Sequence, residues 1–187
     1  MQFIFPLAVV AIQMLRLPPW LFLVAFLISL GIFWSTYRTQ VPFYPSGQSA
    51  RTAVAARLPQ DKPIRFIDIG SGLGGMALHL TRIRPDGIFE GVELAPLPWL
   101  VSEIRARLGR NPARFMRGDY GHLDFSLYDV VFAYLSPAAM PGLWEKARAE
   151  MRSGSILLSY EFAMPGVPAD WVDAPDENGP RLYGWRM

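Results

Sequence analysis

The sequence predicts an α/β fold: a mostly parallel sheet in three layers, preceded by an N-terminal transmembrane helix. Three observations predict it. From Ile64 onward, short apolar runs alternate with segments whose apolar residues recur at helical spacing. The first run ends in Gly70-Ser71-Gly72-Leu73-Gly74-Gly75, a glycine loop placed between a strand and a helix. Ahead of this pattern, residues 17–34 carry no charged side chain.

The bounds are firm. At 187 residues the chain holds one domain and an appendage. With 51% hydrophobic and 18% charged residues it is not intrinsically disordered. It has no cysteine, which excludes disulfides, Cys-ligated zinc, iron–sulfur clusters and thiol catalysis. His79 and His122 are isolated, make no metal site and read as structural. Arg16 and Arg38 are the only charges in residues 1–40, so residues 41–187 are formally neutral within a chain of net charge +2. That balance speaks against nucleic acid, which needs a concentrated basic face. The one basic cluster, Arg105, Arg107, Arg110, Arg114 and Arg117, reads as a solvated surface, with anionic lipid or an acidic partner as the alternative.

Residues 1–38 form the membrane-anchoring segment, with a span at about residues 17–36. The uncharged stretch from Leu17 to Trp34 would be about 27 Å long as a helix, against a bilayer core of about 30 Å. Trp20 and Trp34 sit near its ends as interfacial aromatics do. A second apolar run, Phe3 to Leu15, is short for a span and either lies in the interface or forms half of a hairpin. A cleaved signal peptide and a buried soluble helix are the competing readings. Arg38, Arg51, Arg57, Lys62 and Arg65 follow the span, which places the catalytic domain on the cytoplasmic side of the membrane.

Residues 39–60 are a connector and a candidate active-site lid. Val41-Pro42-Phe43-Tyr44-Pro45 cannot continue a helix. Ser49 is placed to cap a short helix over residues 50–58. Residues 61–187 are the ligand-binding domain. Its expected strands are residues 64–69, 88–94, 113–116, 128–135 and 156–162. A helix follows the glycine loop and stops at Pro85. A second, residues 98–108, carries Leu100, Val101, Ile104 and Leu108 on one face, and a third begins at Pro141. Residues 170–172 and 181–185 suggest a closing antiparallel hairpin.

The functional signal lies in the loop. Gly70, Gly72 and Gly75 fit the dinucleotide spacing, a weak match by itself. Asp68 discriminates, because a carboxylate at the strand tip repels a pyrophosphate and attracts the α-ammonium of S-adenosyl-L-methionine. Asp68, Gly70, Ser71, Gly72 and Gly74 are therefore cofactor-binding candidates. Capping of the next helix is the alternative role for Asp68. Glu93, at the second strand's end, can accept from both ribose hydroxyls, and Asp119, after the third, from the adenine amino group. A salt bridge and a turn are their respective alternatives. Facing the methyl end, Tyr134, Ser136, Tyr160 and Glu161 stand at the fourth and fifth strand tips, with Phe43 and Tyr44 in the lid. Tyr134, Tyr44, Tyr160 and Glu161 are the catalytic candidates, and Tyr134 is also counted with the cofactor. Tyr134 and Tyr160 have plain core aromatics as their alternative.

On these residues the chain resembles the class I S-adenosylmethionine-dependent methyltransferases over roughly residues 60–165. More narrowly it resembles the membrane-anchored lysine methyltransferases that include those acting on the ATP synthase c subunit and the adenine nucleotide translocase. The hydrophobic N-terminal segment, Val41-Pro42-Phe43-Tyr44-Pro45, Asp68-Ile69-Gly70-Ser71-Gly72, Gly91-Val92-Glu93-Leu94 with Trp99-Leu100, and Tyr128-Asp129-Val130-Val131-Phe132 carry it. Leu73-Gly74-Gly75 stands where that family usually has Asp then Gly-Arg. The resemblance implies a Rossmann-like fold and methyl transfer to a lysine of a membrane protein, without a metal. A lipid or quinone-like acceptor, a nicotinamide-dependent oxidoreductase and a silent membrane scaffold are the alternatives.

Overall fold

The computed structural model describes residues 18–33, 46–177 and 179–187. The first described element is helix α1 (Pro19–Phe33), 15 residues long and therefore about 22 Å. Trp20, Leu23, Phe26 and Leu27 are all more than half exposed on it. No helix among the described residues is long and apolar enough to cross a membrane. The rest of the predicted span, residues 17 and 34–36, the run 3–15 and the lid residues Phe43 and Tyr44 lie outside the described residues. α1 approaches the domain through Gly31, where a Cβ would lie 3.1 Å from Leu97 Cβ.

Helix α2 (Gln48–Arg57) starts earlier than predicted. Its N-cap is Gly47, with no side-chain cap, so Ser49 lies inside the helix. Ala50 and Val54 bury its inner face. Arg57 fastens its end to the far edge of the domain by an ion pair to Asp173 and a stack over the Trp171 ring, 5.6 Å from the centroid.

The alternation read in the sequence folds as β1 (Arg65–Ile69), α3 (Gly75–Ile83), β2 (Ile88–Glu93), α4 (Pro96–Leu108), β3 (Arg114–Arg117), β4 (Val130–Ala133), α5 (Met140–Glu150) and β5 (Ile156–Tyr160). The tail supplies β6 (Trp171–Asp173) and β7 (Leu182–Arg186), the predicted hairpin. The sheet order is β3-β2-β1-β4-β5-β7-β6. The first five strands are parallel, and β7 joins β5 antiparallel. The order reverses between β1 and β4, the switch point where open α/β sheets bind ligands.

Helices cover both faces, so the central strands are mostly apolar and alternate between two cores. Phe66, Phe132 and Leu158 pack with Met76 and Leu80 of α3 on one face. Ile67, Val131 and Leu157 pack with Leu143 and Ala147 of α5 on the other. The Phe66 ring lies 5.7 Å from Phe89 and 6.3 Å from Phe132. Truncating this ring to alanine costs about 3–5 kcal/mol.

α4 departs from the expected amphipathic pattern. Leu100, Val101, Ile104 and Leu108 do share a face, but that face is turned away from the sheet. The sheet side is Pro98, Ser102 and Ala106, all buried. Small residues there let the helix sit close over β2 and β3, and Ser102 sends its hydroxyl back to the Trp99 carbonyl.

Candidate active site

Parallel register lines up the strand tips. Asp68 is level with Gly91 on β2 and Phe132 on β4. Beyond it the chain turns through Gly70, Gly72 and Gly74 at φ of 81°, 54° and 75°, a region that glycine enters at little cost. The Gly70 and Ser71 amides both donate to the Val92 carbonyl, at 2.9 and 3.0 Å. Gly74 is the left-handed N-cap of α3, which has no side-chain cap. The capping role weighed for Asp68 is therefore not taken up.

The loop fits because its neighbours are stripped back. A Cβ at Gly91 would meet Ser71 Cβ and Oγ at 2.7 Å, and one at Gly74 would meet Phe115 at 2.5 Å. Gly91 thus makes room for both Ser71 and the Phe115 ring. Arg105, read from the sequence as part of a solvated cluster, is exposed and also donates from Nη1 to the Leu73 carbonyl. It ties α4 to the crest of the loop.

Asp68 is buried. Burial first, then the nearby Glu93 charge, pushes its carboxyl up to about 8. A buried acid beside a second carboxylate is a poor neighbour for a phosphate and a good one for a cation. Glu93 itself is held at both oxygens: the Gly72 amide donates to Oε2 and the Ala95 amide to Oε1, each at 2.8 Å. These two bonds stitch the loop to the β2 tip and aim the carboxylate across it. The Ser71 hydroxyl is buried without a hydrogen-bond partner among the described residues. Asp119 follows β3 and accepts from the Gly121 amide at 2.8 Å, capping a short 3-10 turn over Tyr120–His122. Its turn role is thus present, and its side chain stays exposed at the third strand tip. Burial, then the Asp119 charge, raises the adjoining Tyr120 phenol above its ordinary value.

A second constellation occupies the tips of β4 and β5. The Tyr134 hydroxyl donates to Glu161 Oε2 at 2.5 Å. The Tyr160 ring meets Tyr134 edge-on, with centroids 5.1 Å apart and planes at 87°. Glu161 sits at φ 75°, uncommon for a residue with a side chain, while its amide donates to the Arg181 carbonyl at 2.7 Å. Three of the four catalytic candidates therefore meet, and Tyr44 lies outside the described residues. The Ser136 hydroxyl is buried with no partner among the described residues. His79 is part-buried on α3, its pKa lowered first by burial and then by Arg51 and Arg82. Among the described residues no cluster of His, Asp and Glu could hold a metal.

The residues fit S-adenosylmethionine. Asp68 offers a buried carboxyl that a cation would hold ionised, the glycine loop offers bare backbone, and Glu93 offers a fixed carboxylate one strand away. Solved structures share the architecture. An RNA methyltransferase from Salinibacter ruber in complex with S-adenosyl-L-homocysteine superposes with a TM-score of 0.71 at 22% identity, over 77% of this chain and 94% of that one. An S-adenosylmethionine-dependent methyltransferase from Geobacter sulfurreducens, also holding S-adenosyl-L-homocysteine, gives 0.53 at 25% identity, over 75% of this chain and 58% of that one. Another from Thiobacillus denitrificans gives 0.55 at 19%, with the same coverage. No curated protein matches the chain. The family model described as the ANTKMT methyltransferase domain matches residues 68–171, more than half the chain and all three acidic strand tips. The chain therefore belongs to that family of class I methyltransferases, and its cofactor is S-adenosylmethionine.

Proposed function

We propose that this methyltransferase is membrane-anchored and N-methylates a lysine of a membrane protein, with its catalytic domain on the cytoplasmic side. The observation that carries the reading is the Tyr134–Glu161 pair at the β4 and β5 tips. Asp68 and the loop from Gly70 to Gly74 would hold the α-ammonium end of the cofactor. Glu93 would take the ribose hydroxyls and Asp119 the adenine amino group. When bound, S-adenosylmethionine presents an electrophilic methyl on a positive sulfur, so no covalent enzyme intermediate is needed. What remains for the protein is to bring in an amine, make it neutral and keep water out.

A lysine enters as an ammonium, and Glu161 is the charge that draws it. Oε2 is engaged by Tyr134, which leaves Oε1 for the amine. Desolvation against the Tyr134 ring lowers the ammonium's pKa, and Glu161 takes the proton on its way to water. The freed lone pair on Nζ would then be in place to take the methyl, the S–C bond breaking as the N–C bond forms and S-adenosylhomocysteine leaving. The resemblance to enzymes that methylate lysines of membrane proteins supports the acceptor class.

The exposed apolar surface of α1 supports the anchor. The basic residues after it support the orientation, although Arg57, Lys62 and Arg65 are ion-paired in the folded domain. Orientation is set during insertion, before those pairs exist. The test uses full-length protein, methyl-labelled cofactor and membranes lacking the enzyme. Label should appear as methyl-lysine in a membrane protein band. Label confined to the lipid extract would replace lysine by a lipid acceptor, and no label anywhere would defeat the enzyme reading.

A further inference from the structure

We infer that the outer face of α4 is a membrane-docking surface that lies on anionic lipid beside α1. Leu97, Leu100, Val101, Ile104 and Leu108 recur at spacings of three and four and form one stripe opposite the buried Pro98, Ser102 and Ala106. Leu100, Ile104 and Leu108 are 45%, 46% and 82% exposed. A helix packed on a sheet normally turns its leucines inward. Here the three buried positions are small, Trp99 packs on the core beside them, and the leucines face out.

Two observations name what covers the stripe. The first is continuity. α1 reaches the domain by setting Gly31 against Leu97, the first residue of the stripe. Whatever medium surrounds the exposed apolar side chains of α1 therefore begins within a turn or two of Leu100 and Ile104. The second is charge. At about 100° per residue, Arg105 and Arg107 flank the stripe's centre by about 80° on either side. Arg110 follows directly after the helix. Apolar residues bordered by basic ones are the pattern of a helix lying in a bilayer interface. Glu103 is the one acid on α4, and Arg107 already engages it. The anionic headgroup is thus the complementary partner. The inference rests on α1 being membrane-embedded. It adds that the catalytic domain is pinned flat, with α4 down, rather than swinging on a tether. Because Arg105 also holds the Leu73 carbonyl, the docked helix is the one that braces the cofactor loop.

The chain has no cysteine, so a single introduced cysteine carries a label at a unique place. Full-length Leu108→Cys, Phe26→Cys and Val172→Cys, each with a polarity-sensitive fluorophore, are reconstituted in vesicles of phosphatidylcholine with phosphatidylglycerol and nitroxide-bearing acyl chains. Val172 is exposed on β6, at the sheet edge opposite α4's strands. Retained S-adenosylhomocysteine binding reports folding. The expected result is quenching at positions 26 and 108 and none at 172. Quenching at 26 without 108 would overturn the docking surface while leaving the anchor intact. Quenching at 108 without 26 would sink the anchor and overturn the inference in the form that rests on it. A lipid-independent, concentration-dependent blue shift at 108 would assign the stripe to a second copy of the chain and overturn the proposal. Arg107→Gln with Arg110→Asn in the Leu108→Cys chain should weaken docking by about fivefold per arginine. Equal quenching at 108 in neutral and anionic vesicles would remove the lipid-charge argument.

Discussion

Tyr134 and Glu161 are 27 residues apart and are joined by a 2.5 Å hydrogen bond across the ends of two adjacent strands. The acceptor is presented from a backbone at φ 75°, a conformation that costs a residue with a side chain of the order of 1 kcal/mol or more. Glycine would be free of that cost, yet the position carries a carboxylate. Strain kept where a charged group is displayed is a mark of a working position.

Substitutions here should separate chemistry from cofactor binding. Tyr134→Phe and Glu161→Gln are each expected to lower methyl transfer by roughly 10–100-fold with S-adenosylhomocysteine affinity within about twofold of wild type. Combined, they should cost little more than the worse single variant, because they act as one pair. Glu161→Gly relieves backbone strain while losing a hydrogen bond of similar size, so its melting temperature should stay within a few degrees. A large drop in melting temperature would make Glu161 structural and defeat the assignment. Single-turnover methylation, titration calorimetry and thermal unfolding are the three readouts.

Asp68 gives the pH behaviour. Its folded pKa, about 8, lies above that of an ordinary carboxyl, so the free protein loses stability as pH rises from about 4 to about 8 and then levels off. A cationic ligand favours the ionised form. Binding below about pH 8 should therefore release up to one proton, and affinity should climb by at most about tenfold per pH unit until about pH 8. Calorimetry in buffers of different ionisation enthalpy reads the proton directly. Asp68→Asn should bind weakly, release no proton and unfold at a higher temperature than wild type at pH 9. Proton release that survives the substitution would move the effect to another group.

Gly91 tests the loop's fit. Gly91→Ala puts a Cβ 2.7 Å from Ser71, closer than real contacts allow, and the obstacle is a short side chain on a braced loop. The loop must shift, so cofactor affinity is expected to fall by about tenfold or more, with a stability loss of about 1–3 kcal/mol. Gly75→Ala is the control, since a Cβ there meets nothing within 4 Å. Equal losses in the two variants would mean the close approach at Gly91 is not what seats the loop.

Much of this was legible in the sequence because the period of apolar residues switches cleanly between strand and helix. The strand tips followed from that, and Asp68, Glu93 and Asp119 fell on three of them. The side that α4 turns to the sheet was not legible. Periodicity marks an apolar face but does not say whether leucines or small residues meet the strands. Nor was the Tyr134–Glu161 bond, because nothing local couples positions 27 apart and positive φ at a glutamate has no sequence signal. Arg105 is exposed as read, but its membership in a run of arginines hid a bond to a carbonyl 32 residues earlier. Asp119 was different. Asp-Tyr-Gly is itself a turn signature, and the cap on Gly121 follows from it.

Glu93 carries the last prediction. Both its oxygens accept backbone amides, from Gly72 and from Ala95. Glu93→Gln keeps the shape but turns one acceptor into a donor, so whichever way the amide points, one N–H faces another N–H. That part-buried mismatch should cost about 1–2 kcal/mol, a fall in melting temperature of roughly 2–8 °C even without ligand. The ribose contact would be weakened in the same variant, so binding alone cannot separate the two effects. Hydrogen exchange can. Faster exchange at the Gly72 and Ala95 amides in the free protein is the expected sign that the carboxylate holds the loop. Unchanged protection there, together with lost affinity, would mean that Glu93 serves the ligand alone and that the loop is held by the Gly70 and Ser71 bonds to Val92.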